Sequence, residues 1–164
     1  MISISELAYM PISELSDNIQ NKSISPVEAT RAMLERVETL ESQVHAFQTV
    51  FTDDVLAAAK QAEAEVQRGD YRGPLHGVPI GIKDTYECGP TTCGSQSLEH
   101  YVADQDCTSV AKLKHAGALI LGKTAAWEFG FGTPTRQSYY QPTHNPWNLA
   151  HDAGGSSSGT AAST

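Results

Sequence analysis

Three stretches of this chain hold side chains that could do covalent chemistry. Gly154-Gly155-Ser156-Ser157-Ser158-Gly159 sets three hydroxyls in a row among glycines. Lys83 closes the apolar run Val78-Pro79-Ile80-Gly81-Ile82 and is followed by Asp84. Gly117-Ala118-Leu119-Ile120-Leu121-Gly122-Lys123-Thr124 satisfies the G-x4-G-K-[ST] spacing of a phosphate-cradling loop. A hydroxyl attacks a carbonyl only when a base takes its proton, so the first two stretches matter together if the fold lets them meet.

Each stretch also has a plain reading. Glycine and serine runs serve as flexible linkers or cloning scars; the alternative is a turn that only glycine can follow, with hydroxyls presented at a helix start. A lysine just past a buried strand is commonly an exposed cap whose stem lies on apolar surface. The alternative is an amine kept inside, where desolvation disfavours the charged form and makes it usable as a general base. The only hydroxyl cluster set among glycines is Ser156 to Ser158. The phosphate-loop match has the wrong physics. Its four middle residues are strand formers and a helix precedes its first glycine, whereas a cradle follows a strand and turns its N–H groups inward. A nucleotide-binding module is therefore the least favoured reading. Cys88-x4-Cys93 has no second pair, Cys107 stands apart, and the six histidines lack an i, i+4 spacing. No metal is assigned.

The elements that must position these residues read as follows. Ile12, Leu15 and Ile19 mark a short helix within residues 10–24. Ser25-Pro26-Val27-Glu28 is a helix start, with Ser25 as N-cap, Pro26 at the first helical position and Glu28 completing a capping box. Met33, Val37, Leu40 and Val44 then form one apolar stripe on a helix to about residue 41. Residues 46–51 suggest a short strand, and a third helix runs from Thr52 to a stop at Gly69. Residues 78–82 form a buried strand, with Pro79 near its start or on an edge. Residues 85–106 are irregular, 108–115 form a helix closed by Gly117, and 118–121 form a second buried strand. Phe129 and Phe131 are expected to pack in the core, and 133–153 are loop-like.

The 164 residues suit one domain of ordinary size or part of a larger one. An apolar share of 40% with 18% charged residues is that of a chain able to build a core. Eleven basic against 19 acidic side chains give a net charge of −8, which disfavours nucleic acid or an anionic membrane as the main partner. No signal peptide, membrane span or disulfide framework is evident, so a cytoplasmic setting is expected.

Gly73-Pro74-Leu75-His76-Gly77-Val78-Pro79-Ile80-Gly81-Ile82-Lys83-Asp84, Gly122-Lys123-Thr124 with Glu128-Phe129, Asn145-Pro146-Trp147, and Gly154-Gly155-Ser156-Ser157-Ser158-Gly159 together resemble the amidase signature family. The blocks stand in the family's order, and the resemblance covers nearly the whole chain. It implies an α/β fold in which helices pack on a mixed, mostly parallel sheet. Residues 1–164 would be the N-terminal part of one such domain, with 1–70 a mainly helical lead-in and 71–164 the start of the catalytic core.

The resemblance also implies an amide hydrolase or an amidotransferase component with a Ser/cis-Ser/Lys triad, Lys83 being the lysine and Ser156 the cis-serine. A cis bond before a non-proline residue costs about 3–4 kcal/mol and persists only where its surroundings enforce it; Gly155 removes one side-chain clash there. The nucleophile and oxyanion hole would lie beyond Thr164, in a Gly-Gly-Ser turn, so the 164 residues alone are expected to be inactive. Ser157 or Ser158 as substitute nucleophile would lack that hole; both, with Gly155 and Asp84, are supporting candidates. Gly130, Gly132 and Thr133 are candidate substrate contacts. The implied substrate is a small-molecule amide, with no metal or organic cofactor. Expected partners are the rest of the same domain or a partner chain, with a homo-oligomer also open. Ala153 departs from the proline many members carry, and Trp127 from the polar residue common in amidotransferase subunits, which points toward a free-standing amidase. The competing reading is a non-catalytic amidase-like fragment or subunit that binds a partner.

Overall fold

The computed structural model describes residues 4–132 and 138–164. The elements follow in the order α1 (Ile4–Ala8), α2 (Ile12–Gln20), α3 (Pro26–Val44), β1 (Phe47–Val50), α4 (Thr52–Arg68), β2 (Pro79–Lys83), α5 (Thr108–His115), β3 (Leu119–Thr124), β4 (His144–Asn145), β5 (Asn148–Asp152) and α6 (Ser158–Ser163). Single 3-10 turns stand at Gln96–Leu98 and Glu128–Gly130. The result is α/β with a mixed sheet, as the residue patterns and the resemblance lead one to expect.

The sheet order is β1-β3-β2. β3 runs antiparallel to β1, with Phe47 opposite Thr124, Thr49 opposite Lys123 and Val50 opposite Gly122. Against β2 it runs parallel. The Leu119 N–H donates to the Val78 carbonyl at one end, and the Asp84 N–H to the Thr124 carbonyl at the other, both at 2.9 Å. Pro79 opens the strand that lies at one side of this sheet, where its missing N–H costs no ladder bond.

Residue contacts divide the chain into two units. The first comprises the chain up to Thr39, Phe51–Ile80 and Ala111–Leu121. Its core gathers Leu7, Leu15, Ile19, Ile24, Ala29, Ala32, Val66 and Val78, burial that at about 25 cal/mol per Å² of apolar surface is what holds such a helical layer together. The capping box forms: the Glu28 N–H donates to Ser25 Oγ at 3.0 Å, and the Ser25 N–H reaches Glu28 Oε2 at 3.5 Å. Gly69 ends α4 in the left-handed region at φ 89°. Glu65 of α4 accepts from Arg72 at 2.6 Å and meets His76 Nε2 at 3.0 Å, while His76 Nδ1 accepts the Arg72 N–H at 3.1 Å.

The second unit comprises Leu40–Val50, Gly81–Val110 and Gly122–Thr164. Two expectations are corrected within it. β3 does not stop at Leu121 but continues through Gly122, Lys123 and Thr124, all buried. Gly122 permits this because a side chain there would run into the Thr49 carbonyl of the neighbouring strand. The Gly-Lys-Thr of the phosphate-loop pattern is thus strand, not cradle. Phe129 and Phe131 do not pack in the core; they are 59% and 87% exposed. Phe129 at φ 49° and Gly130 at φ 74° turn the chain so that both rings swing outward. The loop-like 133–153 carries the antiparallel pair β4–β5 in its described part. Among the described residues no helix is long and apolar enough to cross a membrane.

Candidate active site

Lys83 is the last residue of β2 and Asp84 follows it, and the two neighbours turn to different partners, as successive residues at a strand end do. Lys83 Nζ donates to Ser156 Oγ at 2.8 Å, across 73 residues of sequence. Lys83 is half-buried rather than fully enclosed, and so is Ser156.

Ser156 is held by its backbone. The Gly155–Ser156 peptide bond is cis, and Gly154 before it lies at φ 74°. The Ser156 carbonyl accepts the Trp127 N–H at 3.1 Å. The indole of Trp127 lies so close to the Gly155 Cα that a Cβ there would collide with it, so glycine at 155 is a packing requirement. A Cβ on Gly130 would stand 3.8 Å from Ser156 Oγ, which places Gly130 beside the hydroxyl.

The next serines diverge. Ser157 is the residue before α6, half-buried, and its side chain makes no capping bond. Ser158 is buried; its hydroxyl donates to the Ala125 carbonyl at 3.3 Å and lies 3.2 Å from the Thr143 hydroxyl. Gly159 has no room for a side chain because the Ala46 carbonyl and the Ala125 N–H press against it. These contacts seat the start of α6 against the end of β3. The run of small residues therefore follows a tightly packed turn into a helix rather than a flexible linker.

Asp84 faces away from this pair. Its Oδ1 lies 3.1 Å from Lys123 Nζ, and its Oδ2 accepts from the Thr92 N–H at 3.1 Å and the Thr92 hydroxyl at 2.6 Å. Lys123 also donates to Thr91 Oγ1 at 2.7 Å and the Pro90 carbonyl at 3.2 Å, while its approach to Asp84 Oδ1 is an ion pair without hydrogen-bond alignment. Both side chains of this pair are within 1% of complete burial. Cys93 borders it. Burial, reinforced by the Asp84 charge, pushes the Cys93 thiol up, against the pull of Lys123.

A cavity of about 470 Å³ opens in the same unit, lined among others by Trp127, Phe131, Gly132, Tyr139, Tyr140 and Gln141. Ser158 reaches its wall; Lys83 and Ser156 do not. Gly132 borders the cavity with none of the described residues within 4 Å of where a Cβ would stand, and Thr133 lies outside the described residues. Among the described residues no group of three His, Cys, Asp or Glu side chains is placed to hold a metal.

Lys123 and the Trp127 indole are not among the site residues expected from sequence. A signal for Lys123 exists: a lysine inside an apolar strand requires a buried counter-charge, and Asp84 stands at the end of the adjacent strand. Nothing in the sequence pairs Trp127 with Gly155.

The sequence profile of a family described as Amidase matches residues 28–164. The chain is 45% identical over 159 residues to a subunit of the glutamyl-tRNA(Gln) amidotransferase of Geobacter sp. (strain M21), covering 96% of this chain and 33% of that protein. It is 42% identical over 160 residues to the same-named protein of Carboxydothermus hydrogenoformans, with 96% and 33% covered. Among solved structures, the native peptide amidase of Stenotrophomonas maltophilia superposes with a TM-score of 0.84 at 29% identity, over 94% of this chain and 34% of that one. A bacterial aryl acylamidase of the amidase signature enzymes gives 0.87 at 29%, over 94% and 33%. The chain spans about a third of the length of the curated relatives it matches.

Proposed function

The chain belongs to the amidase family, and from that premise we propose that it is the N-terminal part of an amidase domain that breaks amide C–N bonds by serine acyl transfer. Lys83 is the base and Ser156 the relay. Residues 71–164 begin the catalytic core. The attacking serine, with its oxyanion hole, is assigned to the sequence beyond Thr164, and the 164 residues alone are expected to turn over no amide. Gly130 beside the Ser156 hydroxyl, with Gly132 and Thr133, would border the substrate.

The observation that carries this reading is the 2.8 Å contact from Lys83 Nζ to Ser156 Oγ. Acting as the base, Lys83 Nζ takes the Ser156 proton while Ser156 Oγ takes the proton of the attacking serine, whose oxygen bonds to the amide carbonyl. When the tetrahedral intermediate collapses, the proton returns through Ser156 to the departing amine and the C–N bond breaks. Water then cleaves the acyl-serine ester by the same relay. This route calls on no metal or organic cofactor.

Replacing Ser156 by alanine in the full-length protein should lower turnover of simple amides by about 10³-fold, the scale of a lost proton-transfer group, with the melting curve little changed. Wild-type turnover by Ser156→Ala would remove the relay. A second reading, one component of a multi-subunit amidotransferase, is favoured by the names of the 45% identical relatives. Turnover of simple amides by the purified full-length chain supports the free-standing enzyme that Trp127 suggests. Turnover that arises only when a partner chain is added supports the second reading, and such a partner is then required.

A further inference from the structure

We propose that the buried Asp84–Lys123 pair is a positioning device for the Lys83–Ser156 contact, an inference that rests on the catalytic reading above. Two opposite charges are enclosed together directly beside the strand end that carries Lys83, although such pairs add little net stability over apolar side chains of similar volume.

The pair's contacts lead to Ser156 by a continuous route. Asp84 Oδ2 takes both the N–H and the hydroxyl of Thr92, and the same hydroxyl accepts the Gly94 N–H at 3.1 Å. Lys123 holds the preceding two residues through the Pro90 carbonyl and the Thr91 hydroxyl. Residues 90–94 are thereby fixed from both strands. This loop is the seat of the next segment: the Cys93 carbonyl accepts the Phe129 N–H at 2.7 Å, and Ser95 Oγ donates to Glu128 Oε1 at 2.6 Å. Gly94 lies against the backbone of Ala126, Trp127 and Glu128 with no space for a Cβ. Trp127 then holds Ser156 from two sides, by its N–H on the Ser156 carbonyl and by its indole over Gly155. The network closes on itself. Asp84 adjoins Lys83, so one carboxylate anchors both the base and, through residues 92–94 and 127–129, the hydroxyl the base must reach.

A positioning role and a purely structural one differ in what they leave in the folded enzyme. In the full-length protein, Asp84→Leu with Lys123→Met removes both charges and the Thr92 tether together, so no charge is stranded. Misplacing a reacting group by a fraction of an ångström is costly, so kcat should fall by about 10-fold or more while KM and melting temperature move little. Asp84→Asn with Lys123→Met keeps an oxygen for both Thr92 donors and should recover most of kcat. Wild-type kcat in the Asp84→Leu, Lys123→Met enzyme overturns the proposal, as does a loss that merely tracks the folded fraction. Should that double variant fail to fold, Thr92→Val carries the test: several-fold lower kcat at unchanged KM is expected, and unchanged kcat overturns it. Lys83→Ala is run alongside. An active Lys83→Ala enzyme sinks the catalytic reading, whereas an inactive one beside a fully active double variant sinks only the positioning role.

Discussion

Among the described residues charge is buried in two places, and the two clusters differ in where their hydrogen bonds end. In the first unit His76, 1% exposed, sits between Glu65 and the Arg72 backbone, with Gln61 as a further donor to Glu65. Those contacts lead back to one another and to the turn that carries them. In the second unit Asp84 and Lys123 are as deeply buried, but their contacts branch through Thr92, Gly94 and Trp127 to a half-buried hydroxyl that faces an amine. Burial of charge is thus no mark of function by itself. Under the proposed mechanism, what separates the clusters is whether the network terminates on an atom that takes part in the reaction.

The comparison breaks most visibly at Lys83. Lys83→Met in the full-length protein should cost about 10³-fold in kcat/KM with stability changed by no more than about 0.5 kcal/mol. Urea unfolding and an amide assay on the same preparation check both. The mirror experiment is Glu65→Ala, which strands the donors of Arg72, Gln61 and His76. Because Arg72 is partly exposed, solvent recovers some of the loss, and the expected cost is about 2 kcal/mol of stability. The kcat of the fraction that remains folded should stay at the wild-type value. A Glu65→Ala enzyme that melts normally but turns over slowly would reverse the roles assigned to the two clusters.

Much of this is legible in the residues, for identifiable reasons. Helices with a local start and stop are readable: Ser25-Pro26-Val27-Glu28 forms the capping box it spells, and Gly69 ends α4. Lys83 and Ser156 can be singled out by chemistry, but only the resemblance joins them, because a contact across 73 residues leaves no local pattern. β3 reads as ending at Leu121 because Gly122-Lys123-Thr124 looks polar and loop-like. The Asp84 carboxylate that makes Lys123 tolerable inside lies at the end of another strand. The phenylalanines mislead for a related reason. Apolar character predicts burial only when the backbone turns the side chain inward, and the left-handed φ of Phe129 is not written in its neighbours.

The smallest expected effect tests whether the first cluster is structural alone. Burial first, and the Arg72 charge second, push the His76 imidazole below its ordinary range despite the pull of Glu65. As pH falls through the ordinary imidazole value of about 6.5, the unfolded chain takes up a proton that the folded one refuses. Stability should therefore decline as pH falls from about 7.5 to about 5.5. Glu65 acts with the same sign lower down: the Gln61 and Arg72 hydrogen bonds hold its carboxyl below the usual carboxylate range against desolvation, so its contribution fades only as the solution turns more acid. Among the described residues the other charge acting on the imidazole is the Arg72 guanidinium, and Tyr71 lies 5.7 Å away ring to ring. His76→Gln keeps a donor for Glu65 but cannot titrate. Its urea midpoint should vary less with pH over the upper window than that of the wild type and converge with it where Glu65 takes over. An unchanged pH slope in the variant would clear His76 of any part in it. A shift in the pH profile of kcat with no change in the stability slope would show that this cluster, too, terminates on the reacting atoms.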